Sequence, residues 1–290
     1  MSPLWRTTFN TLKRAELSMT IQVLLEAMWQ DYLQLNPEVN NIYQGLATLN
    51  DNVIVNDHIA LRTFDIDKVS IDKIAAPFLS AGYEYGGDYD FVAKKLYAKH
   101  FQHPDLRLPK VFISELKVSL LSSNAQSLIK RLVMQLDEAS VNHEHFCYSG
   151  RPWDISYNEY QVLLAESEYA AWMSAFGYRP NHFTVSVNHL QSHDSVESLN
   201  AYLQKSGVRL NTAGGEIKGS PSEWLEQSST LANQVEVEFT DQKALIASCY
   251  YEFARRYPMN NGELYQGFIA KSADKIFEST NVNTSNLKDK

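Results

Sequence analysis

Residues 57–64 read DHIALRTF and residues 181–188 read NHFTVSVN. In each, Asp or Asn precedes a histidine that opens a run of alternating character, the pattern of a half-buried strand. Parity places His58, Ala60 and Arg62 on one face of the first strand, with Ile59 and Leu61 behind. It places His182, Thr184 and Ser186 on one face of the second, with Phe183, Val185 and Val187 behind. An apolar back and a polar front predict a sheet that packs on a core and lines a polar cavity.

The segments downstream of the two stretches resemble each other. After the first come a helix pattern, IDKIAAPFLSAG (71–82), then YEYGG (83–87), a tyrosine-rich strand pattern and KVFISELKV (110–118). After the second come VESLNAYLQKSG (196–207), VRLNTAGG (208–215), QVEVEF (234–239) and LIASCYYEF (245–253). Both helix patterns end in a glycine, Gly82 or Gly207, and a glycine pair comes next in each, Gly86-Gly87 or Gly214-Gly215. Both blocks close on a strand with a glutamate, Glu115 or Glu252. Such self-similarity predicts an α+β fold of two tandem βαβββ modules, 53–118 and 181–256, within one domain.

Helical patterns fill the rest. Residues 1–50 carry N-terminal helices, with apolar spacing over 16–34 stopped by Pro37. An insertion over 119–180 holds two more, the first capped by Ser123 or Asn124 and the second closed by Gly177 and Pro180. In the C-terminal segment, 257–290, the last dozen residues are polar and expected to fray.

On the closing strands, Ile113, Glu115 and Lys117 share a face, as do Tyr250, Glu252 and Ala254. Two facing modules are expected to converge four polar side chains: His58, Glu115, His182 and Glu252. Two imidazoles and one carboxylate with open positions suit non-haem Fe(II) and its reaction with oxygen; Zn, Mn or Ni fits the same donors. Other histidines have duller explanations. His143-Glu144-His145 is not a zinc-protease motif, and His189 and His193 lack a cysteine pair. His100 and His103 lie at a strand end, and His100 is a candidate to reach the pocket beside the ligands or as an acid/base group. Gln227, Ser228 and Ser229 are candidates for lining it from a third strand of the second module. Cys147 and Cys249 stand alone and read as packing residues.

Composition excludes several classes. The net charge of −8 provides no basic field for nucleic acid or an anionic membrane. No apolar run spans a bilayer and no signal-peptide pattern opens the chain, so the expectation is a soluble cytoplasmic protein.

The stretches DHIALRTF, VFISELKV, SEYAAWMSAFGYRPNHFTVSVN, EQSSTLANQVEVEF and SCYYEFARRYP resemble one family from about residue 16 to residue 270. It is the 2-oxoadipate dioxygenase/decarboxylase or 2-hydroxyglutarate synthase family (DUF1338), a branch of the vicinal-oxygen-chelate (glyoxalase-like) superfamily. The resemblance implies metal ligation by His58, His182 and Glu252, and capture of a substrate carboxylate by Arg62. It implies Fe(II), O2 and a small 2-oxo acid as the reacting partners, 2-oxoadipate giving 2-hydroxyglutarate and CO2. Glu115 falls where four-ligand members of the superfamily place a further ligand; in an oxygenase it is expected beside the ligands, paired with Lys117. A lyase, isomerase or hydrolase using Zn or Ni, and a non-catalytic binder, stay open on the same scaffold.

Overall fold

The structure, a computed structural model, describes residues 21–280, excepting the side chains at 273, 274, 277 and 278. Residues 16–20 of the first helix pattern and 281–290 of the polar tail lie outside the described residues.

Module one runs β1 (Asn56–Phe64), α3 (Ile71–Ser80), β2 (Glu84–Phe91), β3 (Leu96–Gln102) and β4 (Lys110–Leu116). It is preceded by helices α1 (21–35) and α2 (Pro37–Leu49). Pro37 both stops α1 and starts α2, because a missing N–H costs nothing in a first helical turn. The insertion holds α4 (Ser123–Met134), α5 (Glu138–Val141), α6 (Tyr157–Leu164) and α7 (Glu168–Phe176). The cap of α4 is Ser122, not Ser123 or Asn124: its side chain accepts from the Ala125 amide.

Module two runs β5 (Pro180–Ser186), α8 (Val196–Lys205), β6 (Lys218–Ser220), β7 (Leu225–Ser229) and β10 (Tyr250–Arg256). Between β7 and β10 stand β8 (Gln234–Glu238) and β9 (Lys243–Ala247), which form their own two-stranded sheet. Two expectations are corrected here. Residues 208–215 are not a strand: only Leu210 bridges, to Thr230, and Gly214 and Gly215 turn the chain at positive φ. The segment QVEVEF leaves the main sheet and seats Phe239 against Tyr157 and Tyr160 of α6. The other glycine pair is not a turn. Gly86 and Gly87 lie inside β2 at a bulge, and a Cβ on Gly86 would sit 2.2 Å from the His100 ring.

The eight-stranded sheet has the order β2-β3-β4-β1-β5-β10-β7-β6. Each module contributes the same pairing: β1 lies parallel to β4 as β5 lies parallel to β10. The modules join where β1 meets β5 antiparallel, with Ala60 opposite His182 and His58 opposite Thr184.

The back of the sheet is apolar as parity requires. Ile59, Leu61, Phe183, Val185, Tyr251 and Phe253 are all fully buried. α1 covers this face, with Trp29 and Tyr32 within 5.0 and 5.1 Å of the Phe183 ring, centre to centre. Truncating Phe183 to alanine removes the ring on which both aromatics rest. It should cost about 3–5 kcal/mol of unfolding free energy, read as a lower urea midpoint at unchanged m-value.

Candidate metal centre

Strand pairing turns three distant residues into neighbours. His58, His182 and Glu252 are all buried, and one donor atom from each lies within 4.8 Å of the others. His58 Nε2 is 3.4 Å from Glu252 Oε1, and His182 Nε2 is 3.3 Å from Glu252 Oε2. The two imidazole rings are 5.5 Å apart and nearly perpendicular.

The surroundings fix which atoms face inward. Asp57 Oδ1 takes the Nδ1–H of His58 at 2.8 Å, and Asn181 Oδ1 lies 3.2 Å from His182 Nδ1. Each Nδ1 is thereby occupied and each Nε2 faces the shared centre, where the Thr184 hydroxyl also lies 3.1 Å from His58 Nε2; outer hydrogen bonds orient ligating histidines in this way. Asp57 is itself held by both nitrogens of a fork, Arg256 Nε at 2.7 Å and Nη2 at 2.9 Å. Burial alone would raise the Asp57 carboxyl. The Arg256 charge and the His58 hydrogen bond outweigh it and hold the group well below the usual range, so it stays an anion.

Burial drives the His182 imidazole well below its ordinary pKa, assisted by His58 and Arg62, so it is neutral and its lone pair is free. Burial also pushes the Glu252 carboxyl up, against the opposing pull of His58 and of Gln227, whose Nε2 donates to Oε1. Glu252 Oε2 is sealed from water without a hydrogen bond. A carboxylate buried with an unsatisfied oxygen beside two imidazoles is a donor set that a divalent cation satisfies. An ion about 2 Å from each donor needs them about 3–4 Å apart, close to the observed spacing. The residues fit a metal.

Glu115 does not join them. In β4 the partners of His58, Ala60 and Arg62 are Lys110, Phe112 and Ser114. Glu115 pairs with Thr63 on the opposite face and accepts from the Ile71 amide at the start of α3. Lys117 reaches Asp90 at 2.9 Å, at the surface. Matching the closing strands by their glutamates misplaces them, since Glu252 is third in β10 and Glu115 sixth in β4. An odd offset flips the face. The position equivalent to Glu252 in module one is Phe112, which pairs with Ala60 as Glu252 pairs with Thr184.

His100 packs against the aromatic residues in front of the site. Its Nδ1 is 3.0 Å from the Tyr89 hydroxyl and its ring is 5.3 Å from Phe268. Phe268 closes the front, 4.8 Å from His58 and 4.9 Å from Phe112. Arg256 anchors that segment by donating to the carbonyls of Tyr265 and Gly267. Of the tail expected to fray, Ser279 and Thr280 are buried: Ser279 Oγ meets Ser229 Oγ at 2.8 Å and Thr280 Oγ1 meets Arg62 at 3.4 Å. Asp57, Arg256 and Phe268 are functional-site residues that sequence reasoning missed. Only the first two carried a signal, an acid before the histidine and an arginine on the Glu252 face by parity.

Arg62 lies on the same strand face as His58. Its guanidinium sits 4.8 Å from the ring centres of both Tyr169 and Trp172, and Glu168 Oε1 is 3.8 Å away. A cavity of about 190 Å³ opens onto it, lined also by Lys94, Lys95, Glu166 and Tyr169. The set-aside residues stay outside: His143 and His145 are exposed, and His189 and His193 bond Ser186 and Ser192. Burial pushes both cysteine thiols up to about 12, as packing residues require.

The chain is a paired βαβββ sheet that carries a buried His–His–Glu group able to hold a metal ion. A glyoxalase-superfamily protein from Ralstonia eutropha shares the fold at a TM-score of 0.67 and 21% identity, covering 88% of this chain and 86% of its own. The 2-oxoadipate dioxygenase/decarboxylase family model matches residues 20–263, and the chain belongs to that family. The chloroplastic 2-oxoadipate dioxygenase/decarboxylase of Arabidopsis thaliana is 36% identical over 279 residues, 86% of this chain and 74% of the relative. The Oryza sativa hydroxyglutarate synthase, crystallised with 2-oxoadipate, superposes at a TM-score of 0.86 with 32% identity, covering 93% and 95% of the two chains. A Shewanella frigidimarina crystal structure described as a hydrolase is 52% identical at a TM-score of 0.83, covering 86% and 98%.

This electrostatic frame predicts two outcomes. Arg256→Gln removes the fork that holds Asp57, and metal affinity should fall about 10- to 100-fold in a competition titration against a chelator. His100 is held neutral, its pKa pushed down to about 4 by burial first and by Arg256 and Lys110 next. The unfolded chain binds this proton from about pH 6.5 downward, so between 6.5 and 4 the unfolded state holds more protons and stability falls with falling pH. The urea midpoint should drop between pH 7 and pH 5, and His100→Gln should reduce that drop.

Proposed function

We propose that the chain holds Fe(II) through His58, His182 and Glu252 and oxidatively decarboxylates a 2-oxoadipate-like 2-oxo diacid to a 2-hydroxyglutarate-like product. The observation that carries the reading is the buried His–His–Glu group with Arg62 on the same strand face, in a chain whose relatives bear that activity in their names. Iron supplies the one-electron chemistry that lets dioxygen react with a stable acid.

The residues supply position and charge. Arg62, four residues along β1 from His58, stands roughly 13 Å from it along the strand, Cα to Cα. A six-carbon diacid held at both ends would lie along that strand face. Its planar fork matches a carboxylate, and the Tyr169 and Trp172 rings hold it without competing for its N–H groups. Glu168 offsets part of its charge until a substrate carboxylate arrives. Phe268, Phe112 and the His182–Tyr250 stack keep the centre dry, which strengthens each of these pairings.

One O2 is consumed per CO2 released. Loss of the C1 carboxyl and hydroxylation of the shortened acid together supply the four electrons that dioxygen takes, so no outside reductant is needed. A hydrolase, the description given to the Shewanella relative, would add water and leave oxygen untouched. Glu115 lies away from the centre and so does not supply the fourth protein ligand expected for the Zn or Ni readings.

Fe(II)-loaded protein given 2-oxoadipate should take up oxygen and release CO2 in equal amounts; hydrolysis under nitrogen with no oxygen uptake would sink the assignment. His182→Ala and Glu252→Ala should each abolish metal retention and turnover. Arg62→Ala should keep its iron while KM for the diacid rises about 10- to 100-fold, the loss of a charge-assisted pair.

A further inference from the structure

Tyr250 opens β10 as the cross-strand neighbour of His182. Its ring stacks on that histidine at 4.6 Å with the planes 27° apart, and its carbonyl accepts from the Tyr32 hydroxyl. Both ring and backbone are therefore fixed. The side chain is fully buried, yet its hydroxyl has no hydrogen-bond partner. An unsatisfied buried hydroxyl costs about 1–3 kcal/mol, whereas phenylalanine would keep the stack and avoid that cost.

The orphan hydroxyl has company. Glu252 Oε2, Gln227 Oε1 and Asn181 Nδ2 are also buried without hydrogen bonds. All belong to β5, β7 or β10, where Asn181 and Tyr250 touch His182 and Gln227 touches Glu252. The metal satisfies Glu252. It cannot satisfy a phenol, which is a donor and not a ligand in its protonated form.

Strand register locates the hydroxyl's neighbourhood. One row across the sheet holds His58, Thr184 and Glu252; the next holds Ala60, His182 and Tyr250. Arg62 lies one step further along β1. The row carrying Tyr250 and the ligand His182 therefore lies between the His58–Glu252 row and the arginine, and its β1 member, Ala60, contributes only a methyl group to that space.

Resting on the proposed oxygenase function, we propose that Tyr250 is a substrate-binding residue whose hydroxyl donates a hydrogen bond to a carboxylate or keto oxygen of the 2-oxo diacid between the metal and Arg62. A phenol hydroxyl is a hydrogen-bond donor as well as an acceptor. Arg62 supplies the charge; Tyr250 supplies a rigid, directional donor stacked on a metal ligand.

The test separates binding from turnover by using Zn(II)-loaded protein, which cannot oxidise substrate, titrated with 2-oxoadipate by calorimetry. Tyr250→Phe should weaken Kd about 10- to 100-fold, the worth of a hydrogen bond to a charged group. Its Zn stoichiometry should equal wild type, and its ligand-free Tm should be unchanged or higher, because the orphan hydroxyl is gone. A loss shared by 2-oxo monoacids places the donor at the 2-oxo carboxylate head, and a loss confined to diacids places it beside Arg62. Wild-type affinity in the variant, or loss of Zn in step with loss of substrate, overturns the role. If wild-type protein retains Zn but binds no 2-oxo diacid, the substrate reading fails and Tyr250's part in it falls too. If wild type binds and only the variant result disagrees, the function stands without Tyr250.

Discussion

The antiparallel pairing of β1 with β5 is the constraint on which the molecule depends. Each module alone offers one histidine on the polar face of a half-sheet. Setting Ala60 opposite His182 and His58 opposite Thr184 puts the imidazoles on adjacent strands of one continuous sheet, 5.5 Å apart. The parallel partner β10 then delivers Glu252 next to Thr184. A one-residue slip in the first pairing would turn His182 into the core behind and Phe183 into the cavity. The register is enforced by the apolar face that such a slip would expose, with Trp29 and Tyr32 already seated on Phe183.

Charge organisation arises from that geometry. A buried carboxylate and two imidazoles make an incomplete group, sealed by Phe268 and left with an unsatisfied oxygen. Behind it stands a complete one: Asp57, Arg256 and the carbonyls of Tyr265 and Gly267 satisfy one another directly beside His58. The complete group orients the incomplete one. Breaking a buried pair such as Asp57–Arg256 is costly because a stranded charge remains, and here the stranded charge would also release the closing segment.

The two modules have diverged in a way that fits one metal and one substrate. Where module two carries Glu252, module one carries Phe112; where module two carries Tyr250, module one carries Lys110. The centre is therefore asymmetric, with the carboxylate on one side and an aromatic wall of Phe112, Phe268 and Tyr89 on the other.

The sequence by itself determined the repeated unit, the strand faces of His58, Arg62, His182 and Glu252, and the family, because period-two alternation and local motifs are written in consecutive residues. Strand register was not written there. Glu115 and Glu252 look equivalent along the chain, yet an offset of three residues in pairing turns them to opposite faces. The partnership of Asp57 with Arg256, the closure by Phe268 and the burial of Ser279 and Thr280 were likewise decided only in three dimensions. Each joins segments far apart in sequence, and nothing local to either segment encodes what the other will place against it.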